Sequence, residues 1–277
     1  MKETEYIWLA SYPKSGNTWV RMMLNSLALG GAVPDINDLE LKVPIVSYTN
    51  LQEQFGVEAT ELTYSEIALV RPELYRRLAL ESGRDVLIHK VHDQLWGNDA
   101  GEPVFPKDRT RGVVYIVRDP RDVAVSAAAF FGTTIEAAVD ILAAEKYVLA
   151  YSPGGPSRQL PQLLGGWSTH VTSWLDGDFP LLLVRYEDLL DDPVASLRKI
   201  VEFLGMSAEH VEAAVAATHF DQLARQEQQQ GFRENPHAKD KFFRSGKAGE
   251  GKLRLTPEQL VRIETAHGAV MKRLGYL

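Results

Sequence analysis

Two short stretches of this chain carry residues suited to gripping an anion. Ser11–Trp19 reads SYPKSGNTW and lies between an apolar run, Tyr6–Ala10 (YIWLA), and a helical pattern, Thr18–Leu29. Set against the phosphate-loop pattern G-x-x-x-x-G-K-[ST], Gly16 and Thr18 fit. Asn17 stands where a lysine would reach a β/γ-phosphate, and a lysine occurs inside the loop instead, at Lys14. Main-chain N–H groups of such a turn, with the helix N-terminus behind them, attract negative charge. The alternative for this stretch is an ordinary strand–helix turn with a solvated lysine.

The second stretch, Gly112–Ser126 (GVVYIVRDPRDVAVS), puts Arg118 at the end of a β-branched apolar run and Ser126 two turns into the next helical segment. Both suit one phosphate group; the competing reading makes Arg118 a structural ion-pair partner and Ser126 a packing residue. Arg121 and Asp122 read as surface residues or as a pair with each other. A Mg²⁺-dependent triphosphatase wants an aspartate directly after its second strand, but Arg118 occupies that place and Asp119 comes one position late. Two separated anion sites suit a nucleotide phosphorylated at both its 3′ and 5′ ends.

For acid–base work the candidate is His92, because imidazole titrates near neutrality. It follows a short strand pattern, Asp85–Lys90 (DVLIHK), while His89 on that pattern is the rival base, with a space-filling core residue as its other reading. The acidic pairs Glu187-Asp188 and Asp191-Asp192 read as cap and surface residues.

The elements that must position these residues follow a strand–turn–helix grammar. Strands are expected at Tyr6–Ala10, Asp85–Lys90, Gly112–Val117 and Leu181–Arg185, the third apolar throughout, as in a parallel sheet covered on both faces. Asp119 with Pro120 opens a helix closed by Gly132; Asp192 with Pro193 opens one ended by Gly205; Thr256, Pro257 and Gln259 form a capping-box signal. Gly30–Arg84 reads as mixed helix and loop, Ser152–Gly166 as a loop, and the polar Arg225–Lys241 as a flap. The expected fold is α/β: a single three-layer domain spanning 1–277, with a mostly parallel sheet and a phosphate-binding strand–loop–helix.

These motifs resemble those of the PAPS-dependent sulfotransferases, where PAPS is 3′-phosphoadenosine-5′-phosphosulfate. SYPKSGNTW is similar to that family's 5′-phosphosulfate loop, YPKSGTTW, with Asn17 in place of a threonine. YIVRDPRDVAVS is similar to its 3′-phosphate motif. Lys90-Val91-His92 resembles the K-T-H segment bearing the catalytic histidine, and Gly166-Trp167 through Trp174 a helix preceding the fourth strand. VRYEDL (Val184–Leu189) resembles the YED unit, Thr218-His219-Phe220 an adenine-contacting T-S-F, and FRSG (Phe243–Gly246) the R-K-G segment.

The resemblance implies that Lys14, Ser15, Gly16, Asn17 and Thr18 hold the 5′-phosphosulfate. Arg118, Ser126, Arg244 and Gly246 would hold the 3′-phosphate, and Trp19, Tyr186, Thr218 and Phe220 would contact adenine. His92 would be the general base, Lys14 would stabilise the departing 3′,5′-diphosphoadenosine (PAP), and Lys90 would neutralise sulfuryl oxygens, with no metal. The acceptor would be a hydroxyl on a small molecule or natural product. Two departures, Ser245 for a lysine and GEGK at Gly249–Lys252 for GDWK, point away from a close animal cytosolic homologue. The alternatives are a P-loop nucleotide or small-molecule kinase, which would require ATP and Mg²⁺, and a catalytically silent nucleotide-binding protein.

Composition narrows the field further. With 30 basic against 37 acidic residues the net charge is −7, which disfavours nucleic acid or an acidic membrane as partner. There are no cysteines, so disulfides and thiolate chemistry are excluded. No apolar run approaches the roughly 20 residues that span a bilayer, and Tyr6–Ala10 is too short for a signal peptide. A cytoplasmic, soluble protein is expected. Tyr48, Phe55, Tyr64, Trp96, Phe130 and Phe131 suit either an acceptor pocket or the core, and assembly as a homodimer stays open.

Overall fold

The computed structural model describes residues 3–39, 46–150, 159–235 and 241–277. The first strand, β1 (Glu5–Ser11), leads into helix α1 (Asn17–Ala28). Next come α2 (Tyr48–Phe55) and α3 (Tyr64–Ser82), then β2 (Val86–Val91) and β3 (Thr110–Val117). Helices α4 (Pro120–Phe130) and α5 (Ile135–Ala143) precede two short strands, β4 (Val148–Leu149) and β5 (Gln162–Leu163), paired antiparallel. Then follow α6 (Trp167–Leu175), β6 (Leu181–Arg185), α7 (Tyr186–Asp191), α8 (Pro193–Leu204) and α9 (Val211–Ala217). Helices α10 (Phe220–Gln230), α11 (Glu250–Arg254) and α12 (Pro257–Arg273) complete the chain.

The main sheet is parallel, in the order β2-β1-β3-β6, with β1 and β2 in register from Glu5 opposite Val86 to Ala10 opposite Val91. All four expected strands are present, and the punctuation read from the sequence operates locally. Asp119 caps α4 by accepting from the Arg121 N–H, Asp192 caps α8 through the Ala195 N–H, and Thr256 and Gln259 close a reciprocal capping box. A second such box, Thr63 with Glu66, starts α3 within the stretch read as mixed.

Two element expectations are corrected: the expected loop Ser152–Gly166 carries the short strand β5, held by pairing with β4, and the expected flap is in part a helix. Residues 225–230 of the polar flap are helical, as part of α10. Phe220, Leu223 and Ala224 give this helix an apolar stripe, packed with Met22, Ile36, Phe232 and Phe243. Its outward Gln and Arg residues are good helix formers, so polarity did not mean loop. The rest of the flap at 236–240, like 152–158 of the expected loop and 40–45, lies outside the described residues.

The chain packs as two compact units. The first comprises Met1–Tyr12, Val43–Tyr115 and Ala144–Leu181. Its core is aromatic: Tyr6 and Trp8, two apart on β1 and so on one face, stack at 4.4 Å, and Tyr75, His89 and Phe105 pack around them. The second comprises Pro13–Lys42, Ile116–Ala143 and Leu182–Leu277, where α1 packs on α9, and α4 on α5, α11 and α12. Among the described residues no helix is long and apolar enough to cross a membrane.

Candidate active site

The sequence-predicted residues form a cluster in each unit. In the second unit, the loop between β1 and α1 turns through two left-handed residues, Lys14 (φ 71°) and Gly16 (φ 105°). Glycine is required at position 16: a Cβ there would stand 2.7 Å from Cδ2 of Tyr186. Gly16 caps α1 and, lacking a side chain, makes no side-chain hydrogen bond to the helix's first-turn N–H groups. Beside them the Ser15 hydroxyl is fully buried and has no hydrogen-bond partner among the described residues. Asn17 is buried, and Thr18 and Trp19 are half-buried. The Lys14 amine lies 3.8 Å from the ring centre of Phe242 and 4.4 Å from that of Phe130, an aromatic clamp on the cation. Glu227 fixes that clamp by accepting from the N–H groups of Phe242 and Phe243 at 2.7 and 2.9 Å.

Arg118 links this loop to the C-terminal segment. Its guanidinium donates to the Lys14 carbonyl at 3.3 Å and the Lys247 carbonyl at 2.9 Å, and lies 4.3 Å from the Tyr186 ring centre. Its Nε is buried with no partner among the described residues, leaving a donor for a further anion. Arg244 is exposed and donates to the carbonyl of Val125, the residue before half-buried Ser126.

An aromatic corner completes the cluster. Trp19 meets Tyr186 edge to face at 6.3 Å, and its indole N–H donates to the Thr218 carbonyl at 3.1 Å. Thr218 itself is fully buried, with its hydroxyl spent on the Ala214 carbonyl, so it reaches the corner only through its main chain. Phe220 is held by Gly246, where a Cβ would stand 2.4 Å from the ring.

In the first unit, His92 follows β2 and is half-buried. Its Nδ1 lies 2.8 Å from the Ser11 carbonyl oxygen and 3.3 Å from the Ser11 hydroxyl. A carbonyl only accepts, so the neutral ring carries its hydrogen on Nδ1 and its lone pair on Nε2. Lys90 is half-buried on β2. His89 is the core residue expected: buried, ringed by Tyr6, Trp8 and Tyr75, and pushed down to about 3 by burial and by Arg71. Among the six aromatics left open, Tyr64 and Trp96 stack in this unit at 5.8 Å.

The family model for the sulfotransferase domain matches residues 4–275. This chain belongs to the sulfotransferase family. Sulfotransferase 1A1 of Canis lupus familiaris is 26% identical over 277 residues, covering 96% of this chain and 83% of its own. Cytosolic sulfotransferase 17 of Arabidopsis thaliana is 28% identical over 294 residues, covering 98% and 75%. The fold is that of mouse sulfotransferase SULT7A1, crystallised with PAP (TM-score 0.60, 21% identity, 96% of this chain and 84% of that one). It is also that of retinol dehydratase in complex with androsterone and PAP (TM-score 0.61, 19% identity, 96% and 80%).

Several residues of this sulfotransferase bear on the site without having stood out in the sequence. Asp122, expected at the surface or paired with Arg121, is buried, and its carboxylate accepts from the N–H groups of Gly249 and Gly251 at 2.8 and 2.7 Å. Arg121 is likewise buried, paired with Asp119 and Glu264 and bonded to the Tyr276 carbonyl. Glu187 is no cap or surface residue: it accepts from the Asp119 N–H and the Tyr276 hydroxyl, and burial raises its carboxyl above the ordinary value. Ser245, in place of the family's lysine, donates to Glu250 at 2.6 Å. In the first unit, Asp93 beside His92 is buried in a two-pronged pair with Arg71. The R-D-P-R-D spacing was the one available signal for Asp122, since it sets a carboxylate in the first turn of α4, close after the Arg118 that follows β3; the two stand 3.6 Å apart.

Proposed function

We propose that this sulfotransferase moves a sulfuryl group from PAPS to the hydroxyl of a small-molecule acceptor. The observation that carries the reading is Arg118: one buried guanidinium ties the Lys14 loop to the segment bearing Arg244 and Gly246, and keeps an unspent Nε. A helix N-terminus with a buried Ser15 hydroxyl beside it that has no partner among the described residues, and a second cationic point at Arg118, fit a nucleotide with separate 5′ and 3′ anions. The Trp19, Tyr186 and Phe220 rings suit a purine. That the PAP-bound proteins share this fold supports the same reading.

When bound, PAPS supplies an activated sulfuryl group on its 5′-phosphate. Ser15, Gly16, Asn17 and Thr18 would hold that end through hydroxyl and main-chain N–H donors. Arg118, Ser126, Arg244 and Gly246 would hold the 3′-phosphate. His92 would take the acceptor hydroxyl's proton at Nε2, the nitrogen left basic by the Nδ1–H bond to Ser11. Lys14 offsets the charge left on the released phosphate oxygen, and Lys90 that on the sulfuryl oxygens, so cations of the chain do what a metal does elsewhere. Ser11, the anchor of His92, is three residues from Lys14 in the chain.

Calorimetry of PAP against ATP with Mg²⁺, on wild type and Arg118→Ala, tests this. PAP binding that weakens at least tenfold in the variant is expected; binding of ATP with Mg²⁺ but not PAP would overturn the reading and favour a kinase.

A further inference from the structure

β2 ends at Val91, yet the main chain of His92 and Asp93 stays hydrogen-bonded beyond it. Side chains make these bonds. The His92 N–H donates to Gln162 Oε1 at 3.1 Å, the His92 carbonyl accepts from His170 Nε2 at 3.0 Å, and the Asp93 carbonyl accepts from Trp174 Nε1 at 2.9 Å. His170 and Trp174 are four apart on α6, so one face of that helix holds two consecutive carbonyls.

The chemistry of the His170 ring fixes its hydrogens. Nε2 faces a carbonyl and must donate; Nδ1 therefore keeps a lone pair, which accepts from the Tyr115 hydroxyl at 2.7 Å. Both residues are fully buried, and burial pushes His170 down to about 4, so the ring is neutral at physiological pH. With the tautomer set by the His92 carbonyl and the ring held from behind by Tyr115, the peptide bond after His92 is fixed, and with it the direction from which the His92 side chain departs.

We infer that Tyr115 and His170 are positioning residues for His92, acting as a buried relay from hydroxyl to imidazole to the main-chain carbonyl of the base. The inference rests on the reading of His92 as the base, and the experiment separates the two. His92→Ala comes first: kcat lowered at least a hundredfold keeps the base, and an unchanged kcat removes it.

Tyr115→Phe deletes one oxygen and leaves the buried His170 Nδ1 without its donor, so the ring is no longer held square to the His92 carbonyl; loss of one buried hydrogen bond lowers kcat about three- to tenfold, with the Kd for PAP unchanged within about twofold. The nitrogen-15 shifts of the His92 ring, read by NMR on the whole chain, should move away from the Nδ1–H form. That readout does not depend on the base reading. His170→Asn, whose amide can donate to one carbonyl and accept from Tyr115, should retain more activity than His170→Phe. Should His170→Phe fail to fold, Tyr115→Phe carries the test. Unchanged His92 shifts in Tyr115→Phe, shifts that move without any change in kcat while His92→Ala is inactive, or equal loss in the Asn and Phe variants would each overturn the inference.

Discussion

Asp122→Ala should loosen the C-terminal segment and weaken nucleotide binding. The carboxylate is 3% exposed and accepts from Gly249 and Gly251 at 2.8 and 2.7 Å. Gly251 is itself buried and pressed on α4; a Cβ there would stand 2.4 Å from the Arg121 carbonyl carbon. An alanine at 122 leaves the Gly251 N–H buried and unpaired, at a cost of about 1–3 kcal/mol. Gly249 is exposed, so water can replace part of its bond. A total of about 2–4 kcal/mol follows, which for a chain of this size lowers Tm by roughly 5–15 °C. The same segment carries the Lys247 carbonyl that holds Arg118, together with Arg244 and Gly246. PAP affinity is therefore expected to fall about 10- to 100-fold, or roughly 1.4–2.8 kcal/mol. Asp122→Asn keeps one acceptor oxygen and should fall between wild type and alanine. Calorimetric titration with PAP and thermal unfolding on the three proteins give both numbers. A folded Asp122→Ala protein that binds PAP within twofold of wild type would refute this reasoning.

Three further predictions concern the acid limb, the phosphate loop and a glycine remote from it. Burial pushes His89 down to about 3 and His170 and His267 to about 4, so below the ordinary value of 6.5 the unfolded chain binds more protons than the folded one. Their stabilising contribution is complete above pH 6.5 and is lost as pH falls; by pH 5 the loss is about 2 kcal/mol each and about 6 together. Urea unfolding at pH 7 and pH 5 checks this, and a histidine-independent, flat stability would contradict it. Gly16→Ala should lower PAP affinity at least tenfold, since it strains a left-handed residue (φ 105°) and drives a methyl into Tyr186. Gly56→Ala, at φ 64° with open space around it, should cost only about 1 kcal/mol and leave affinity unchanged, measured by the same titration.

Much of the frame was legible because it is written locally. Asp119-Pro120, Asp192-Pro193 and Thr256-Pro257 each mark a helix start within two residues, and short apolar runs, β-branched in β3, mark the strands. The phosphate loop is legible for the same reason, being a contiguous stretch with a fixed glycine. The residues that hold the site from behind were not. His170 reaches His92 across 78 positions and Asp122 reaches Gly249 across 127, so neither pairing leaves a short-range trace. Arg121 and Asp122 read as surface residues or as a pair with each other because charged side chains are rarely buried unless paired, and their actual partners include groups far off in the chain. For α10, a run of glutamines hid a stripe of only three apolar residues.

The central claim is tested most directly by turnover. The protein is incubated with sulfur-35 PAPS and a panel of phenols and aliphatic alcohols, and label is followed into the acceptor, for wild type and His92→Ala. Acceptor-dependent transfer by wild type, lowered at least a hundredfold in His92→Ala, is the expected result. No transfer to any hydroxyl by a wild-type protein that binds PAP, or equal transfer by both proteins, would contradict it.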